Sequence, residues 1–312
     1  MRLPRCVQAF WILGGFFLLL AGNIGPAHAL EQTTTAVEEA GTAVDQAPGG
    51  QQSALEARMR AEKLAKKSRF SLLPHKPNYL LPVTYNTSPG VWDRSAAGED
   101  LDPVEVKFQI SLKTPIWEDI FGDNGVLYVA YSQLAFWQAY NRGVSSPFRE
   151  INFEPEAFIA FHTGYEWLGV SSQLVSLGIN HQSNGRSEPF SRSWNRLIAN
   201  FLFQTGNVYL NLRPWLRLPE SADEDDNPNM ENYYGYGEIS AHYAQDNQTL
   251  SLLLRNNLRR ENKGAVQLDW SFPLRGKIKG YAQFFSGYGE SLVDYNHSNT
   301  RFGIGVMLTD WL

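Results

Sequence analysis

The sequence predicts an all-β fold, a transmembrane antiparallel β-barrel of twelve strands, and three observations lead there. Segments of about ten residues alternate apolar and polar side chains, so each strand has one face for lipid and one for a wet interior. Beyond residue 30 no run reaches the roughly 20 apolar residues of a membrane-spanning helix. The connections alternate between short and long, as expected for a barrel with tight turns at one rim and loops at the other.

The elements follow in order. Arg2 and Arg5, the apolar run from Phe10 to Ala21 and the small-residue Ala27-His28-Ala29 read as a signal peptide over residues 1–29, with a mature chain starting at Leu30. Cys6, the one cysteine, leaves with that segment, so no disulfide or cysteine-ligated metal is expected. Residues 30–75 read as a periplasmic extension rich in Thr, Ala, Gln, Gly and Glu, largely disordered apart from a charged helix from Ala54 to Phe70. Residues 76–312 form the barrel. Eight of the chain's nine tryptophans lie beyond the signal and suit interfacial girdles, and a net charge of −5 offers no basic stripe for nucleic acid.

Strands are expected to begin near Asn78, Val104, Val126, Phe153, Trp167, Arg192, Asn207, Tyr233, Thr249, Ala265, Lys277 and Arg301. The pattern is clearest where Val104, Val106, Phe108, Ile110 and Leu112 oppose Glu105, Lys107, Gln109, Ser111 and Lys113. It recurs where Val208, Leu210, Leu212, Leu216 and Leu218 oppose Asn207, Tyr209, Asn211, Arg213 and Arg217. The polar faces, with Arg192 and Arg196, should form a hydrogen-bonded interior network. Short turns are read near Gly164, Thr205-Gly206, Asp246-Asn247 and Pro273 to Gly276; longer loops span 86–103, 141–152, 219–231 and 287–299. With both termini periplasmic, the fifth strand runs outward.

That strand carries the chemistry. One face reads Val175, Leu177, Ile179 and then His181 and Ser183; the next strand continues from Asn195 through Leu197, Ala199, Phe201 and Phe203. Three polar residues thus occupy an outward face that would otherwise hold Leu or Val. A serine hydroxyl needs a neighbouring base, and histidine has suitable basicity. Asn195 can orient the imidazole through its amide oxygen, at less cost beside lipid than a carboxylate. Ser183 is therefore the expected nucleophile, His181 the general base and Asn195 its orienting partner, with a lipid substrate. His75, His162, His242 and His297 lack metal-ligand spacing.

The chain resembles the outer-membrane phospholipase A family over essentially the whole barrel, through SSPFRE from Ser145, NHQSNGRS from Asn180, SRSWNR from Ser191, DDNP from Asp225 and SGYGESLVDYN from Ser286. The resemblance implies a calcium-dependent homodimer that hydrolyses acyl esters of phospholipids and lysophospholipids at the outer leaflet of a Gram-negative outer membrane. By motif it implies the same triad and a Gly185 amide as oxyanion donor. It also implies calcium held by the Arg186 carbonyl and Ser191 hydroxyl, with Ser145 from the second subunit. A second, monomer-type site would use Glu188 with Asp225 or Asp226. Gln133 shares a lipid face with Leu127, Val129, Tyr131, Ala135 and Trp137; a matching Gln133 across a two-fold axis would satisfy its amide. The alternative is a non-catalytic pore or transport barrel; an enzyme deacylating lipopolysaccharide is a third reading, against which the motif strings argue.

Overall fold

A computed structural model describes residues 54–65, 71–90, 101–144, 146–276 and 278–310. The expected signal peptide, most of the extension and Ser145 lie outside the described residues. Two compact units divide between Ser71 and Leu72. In the first, α1 (Ala54–Ala65) is the expected charged helix; its Arg58 and Glu62 pair one turn apart at 3.1 Å. Among the described residues, no helix is long and apolar enough to cross a membrane.

The second unit is a closed antiparallel barrel of twelve long strands: β1 (Asn78–Asn86), β2 (Val104–Trp117), β3 (Val126–Trp137), β4 (Phe148–His162), β5 (Val170–Ser183), β6 (Ser193–Thr205), β7 (Val208–Leu218), β8 (Gly237–Gln245), β9 (Gln248–Asn256), β10 (Gly264–Arg275), β11 (Ile278–Tyr288) and β12 (Ser298–Thr309). Each pairs with its sequence neighbour, and β12 closes on β1 through pairs such as Ile304↔Val83. Closure satisfies every strand edge, which hydrocarbon requires. Two-residue strands at Leu73–Pro74 and Glu166–Trp167 add to β2 and β5. Among the two-residue connections, Asp246-Asn247 has φ values of 51° and 60°, which give the primed turn such a hairpin needs.

Alternation is realised as expected. On β5, Leu177 and Ile179 are 53% and 59% exposed, whereas Ser176 and Asn180 are buried. The interior is filled. Trp194, Ile198, Trp215, Met230, Tyr234, Leu292 and Tyr295 pack together inside the barrel and beneath its long loops. Ions fill the rest in two groups. Arg149 pairs with Glu105 and Asp294, while Arg301 joins Glu105 to Glu290, which also holds Lys107 at 2.9 Å. Elsewhere Lys76, Arg196 and Arg213 share Glu154 and Glu156. The expected network thus contains Glu105, Lys107, Arg196 and Arg213. Arg217 and Arg192 instead serve the loops: Arg217 binds Asp225 at 2.6 Å, and Arg192 donates to the carbonyls of Pro189 and Ser191.

Strand starts depart from the sequence reading in four places, the simplest being β12, which begins at Ser298 rather than Arg301. β4 begins at Phe148 rather than Phe153, because a register shift beside Trp137 leaves Arg149 and Glu150 consecutively buried and hides the two-residue period. Glu166–Trp167 is a separate short strand, and β5 starts at Val170. The expected start at Tyr233 falls in a helical turn, α2 (Glu231–Tyr234), which ends at Gly235 with φ of 69°, so β8 begins at Gly237.

Candidate active site

The site sits where β5 and β6 meet at the rim that bears the long connections. The register pairs His181 with Asn195 and Ser183 with Ser193. On the other side, the β4 ladder runs from Glu156↔Asn180 to Phe153↔Ser183, so the same register sets Pro155 opposite His181. Proline has no N–H to give that ladder. His181, Ser183 and Asn195 are all half-buried and continue the outward faces of Ile179 and Leu197.

Imidazole and amide are already joined. His181 Nδ1 lies 2.8 Å from Asn195 Oδ1. Among the described residues no hydrogen bond joins Ser183 to the imidazole, as is common in sites that tighten only with substrate bound. A fourth residue, which the sequence reading passed over as loop, completes the chain: Asn195 Nδ2 donates to Glu220 Oε1 at 2.7 Å. The signal was present, since Glu220 stands two residues beyond Leu218, which pairs with Asn195, and continues the outward face of Leu216 and Leu218. Burial pushes the Glu220 carboxyl up from its ordinary range, opposed by the Asn195 hydrogen bond and the Arg217 charge.

The connection from Asn184 to Arg192 is organised by Asn184. Its side chain donates to the Phe190 carbonyl and accepts from the Arg186 and Arg192 amides, at 2.9, 3.3 and 3.0 Å respectively. Gly185 turns this corner at φ of +64°, a region glycine favours, and a Cβ there would come 3.3 Å from Phe153. Arg186 is pinned by its side chain to Glu150 at 3.2 Å and to the Arg149 carbonyl.

Oxygen ligands gather beside it. Ser191 Oγ donates to Asp226 Oδ2 at 2.5 Å. The exposed Glu188 carboxyl is raised first by a hydrogen bond shared with Asp226. The Ser191 hydroxyl on Asp226 and the nearby Glu188 carboxyl offer oxygen donors of the kind a hard cation takes. Asp225 differs: its Oδ1 is taken by Arg217 and by the Asn227 amide. No cluster of three or more His, Cys, Asp or Glu with metal-binding arrangement occurs among the described residues. Ser145 lies outside them.

On β3, Gln133 is half-buried and its Oε1 accepts from Tyr131 at 3.1 Å. Ala135, expected on the same lipid face, is fully covered. His75 and His242 make polar contacts with Glu156 and with Ser240 and Ser251, as expected of structural histidines.

Comparison with known proteins identifies the family. The family profile described as Phospholipase A1 matches residues 55–308. A relative named Phospholipase A1 from Escherichia coli strain K12 is 40% identical over 245 residues, covering 77% of this chain and 82% of that protein. The Salmonella typhi outer membrane phospholipase dimer with bound calcium superposes with a TM-score of 0.73 at 39% identity, covering 78% of this chain and 94% of that one. The Escherichia coli outer membrane phospholipase A solved as an alanine mutant of an active-site asparagine gives the same TM-score, identity and coverage. The profile and the relatives show that this chain belongs to the phospholipase A1 family.

Proposed function

We propose that the chain is a calcium-dependent homodimeric phospholipase of the Gram-negative outer membrane, cleaving phospholipid and lysophospholipid acyl esters with Ser183, His181 and Asn195 on the lipid-facing exterior. The observation that carries this is the 2.8 Å contact between His181 Nδ1 and Asn195 Oδ1 on an outward apolar face.

The acceptor on Nδ1 fixes the imidazole tautomer with its proton there, leaving Nε2 free to take the Ser183 proton. Ser183 Oγ then bonds to the ester carbonyl carbon, and the oxyanion is met by the Gly185 amide at the corner of the loop. Collapse breaks the ester C–O bond, and the proton on Nε2 passes to the departing alcohol. Water, deprotonated by the same nitrogen, releases the fatty acid and restores Ser183. Leu177, Ile179, Leu216 and Leu218 provide an apolar track for the acyl chain, all of them exposed on β5 and β7, the two strands that flank β6.

Arg186 through its carbonyl and Ser191 through its hydroxyl would hold calcium, with Ser145 from the second subunit; Glu188 and Asp226 suit the second, monomer-type site. Calcium, when bound, supplies positive charge near the developing oxyanion. The Salmonella enzyme solved as a calcium-bound dimer and the Escherichia coli enzyme with an active-site asparagine support this reading. Gln133 is proposed at the dimer axis, exchanging its Tyr131 contact for its counterpart. The filled interior argues against the pore alternative.

A lipophilic fluorophosphonate, which forms a covalent ester with activated serines, tests the assignment. Labelling should map to the peptide bearing Ser183 and vanish in His181→Ala; labelling elsewhere, or none in folded protein, would overturn it.

A further inference from the structure

An asparagine that orients a histidine has a weakness that an aspartate lacks. Its amide has two ends, and rotation by half a turn exchanges acceptor for donor. With Nδ2 facing the ring, Nδ1 would have to accept, the ring proton would move to Nε2, and the base could no longer take the serine proton. Something must therefore hold the amide with Oδ1 toward His181.

The structure assigns that task to Glu220: we propose that it is a positioning residue, whose carboxylate accepts from Asn195 Nδ2 and thereby selects the catalytic tautomer of His181. A carboxylate can only accept, so it rejects the reversed amide. The contact is charge-assisted at 2.7 Å, and Glu220 Oε2 is buried without a hydrogen-bond partner among the described residues. The single accepting interaction is thus directed at Asn195.

Glu220 is held in place from both directions. It follows Leu218, the register partner of Asn195 on β7. Downstream, its loop is tied down when Arg217 binds Asp225 Oδ1 and the Asn227 carbonyl, at 2.6 and 3.1 Å. Asn227 Oδ1 in turn accepts from the Ser193 amide, two residues before Asn195, at 3.0 Å. The row His181, Asn195, Glu220 also places a negative charge behind a neutral amide, which supports the imidazolium formed during turnover. The inference rests on the triad reading above.

The test uses full-length enzyme refolded in detergent micelles with calcium, with kcat and KM measured for single and paired variants and folding checked by heat-modifiable gel migration. Glu220→Ala should lose about tenfold in kcat with KM roughly unchanged. Asn195→Asp, which sets two carboxylates face to face, should lose about tenfold or more. Adding Glu220→Gln to Asn195→Asp restores one donor and one negative charge, and should recover about tenfold over Asn195→Asp alone. A loop residue with only a structural role would give no such recovery. Wild-type kcat in Glu220→Ala, or a pair no better than Asn195→Asp, overturns the proposal while leaving the triad standing. Retained activity in Ser183→Ala would instead remove the triad reading and this inference with it.

Discussion

Asn195 and His181 face each other as register partners on β5 and β6, with Oδ1 2.8 Å from Nδ1, on the side of the sheet that also bears Leu177 and Ile179. A hydrolytic machine assembled on a barrel's exterior draws its substrate from the bilayer sideways, and its order must come from the strands and the loop-rich rim rather than from a closed cleft. Under the proposed function, activity in an outer membrane whose outer leaflet is mostly lipopolysaccharide depends on phospholipid reaching that leaflet.

Asn195→Ala should lower kcat by about tenfold to a hundredfold while leaving unfolding in urea nearly unchanged, since the residue is half-buried at the rim. Initial rates on micellar phospholipid and a urea titration of the same preparation check both halves.

Gly185→Ala should be more damaging than its size suggests. A left-handed non-glycine residue costs about 1–2 kcal/mol, and its Cβ would press on Phe153 at 3.3 Å. The expected result is a loss of more than about tenfold in kcat with little change in KM, from an amide moved off the oxyanion position.

Calcium titrations should separate the two neighbouring aspartates. Asp226 accepts from Ser191 and raises the Glu188 carboxyl, whereas Asp225 is engaged by Arg217. Asp226→Asn and Ser191→Ala are expected to raise the calcium needed for half-maximal binding, measured calorimetrically, by about tenfold. Asp225→Asn should shift it less and loosen the loop instead.

Lys107→Ala should destabilise the barrel without touching the chemistry. It leaves Glu290 with one buried partner fewer in a network where Lys107 and Glu290 are both almost fully buried. Breaking such a pair costs about 3–5 kcal/mol, readable as a lowered urea midpoint. Activity at low denaturant is expected to match the wild type.

Gln133→Leu should weaken calcium-stimulated dimerisation seen by crosslinking while leaving the monomer barrel intact. Unchanged crosslinking would remove Gln133 from the interface.

Much of this architecture was legible because lipid enforces a strict two-residue period, as at Leu177 and Ile179 against Ser176 and Asn180. It failed where the backbone itself breaks the period. The consecutive burial of Arg149 and Glu150 at a register shift concealed the start of β4, and the tyrosine-rich stretch before Gly235 mimicked a strand while forming a helical turn. His181, Ser183 and Asn195 stood out as polar residues on an outward face. Glu220 did not, because Pro219 suggested that the strand had ended and a glutamate in an acidic loop looks like solvent-facing charge. Its role depends on the pairing of Leu218 with Asn195, which brings the next turn of chain beside the amide.

The most direct measurement is calcium-dependent fatty-acid release from mixed micelles by the refolded enzyme, wild type against Ser183→Ala, each with and without chelator. The proposed mechanism requires release by the wild type that stops on chelation, and none above background from folded Ser183→Ala. Equal release by the two proteins would contradict it.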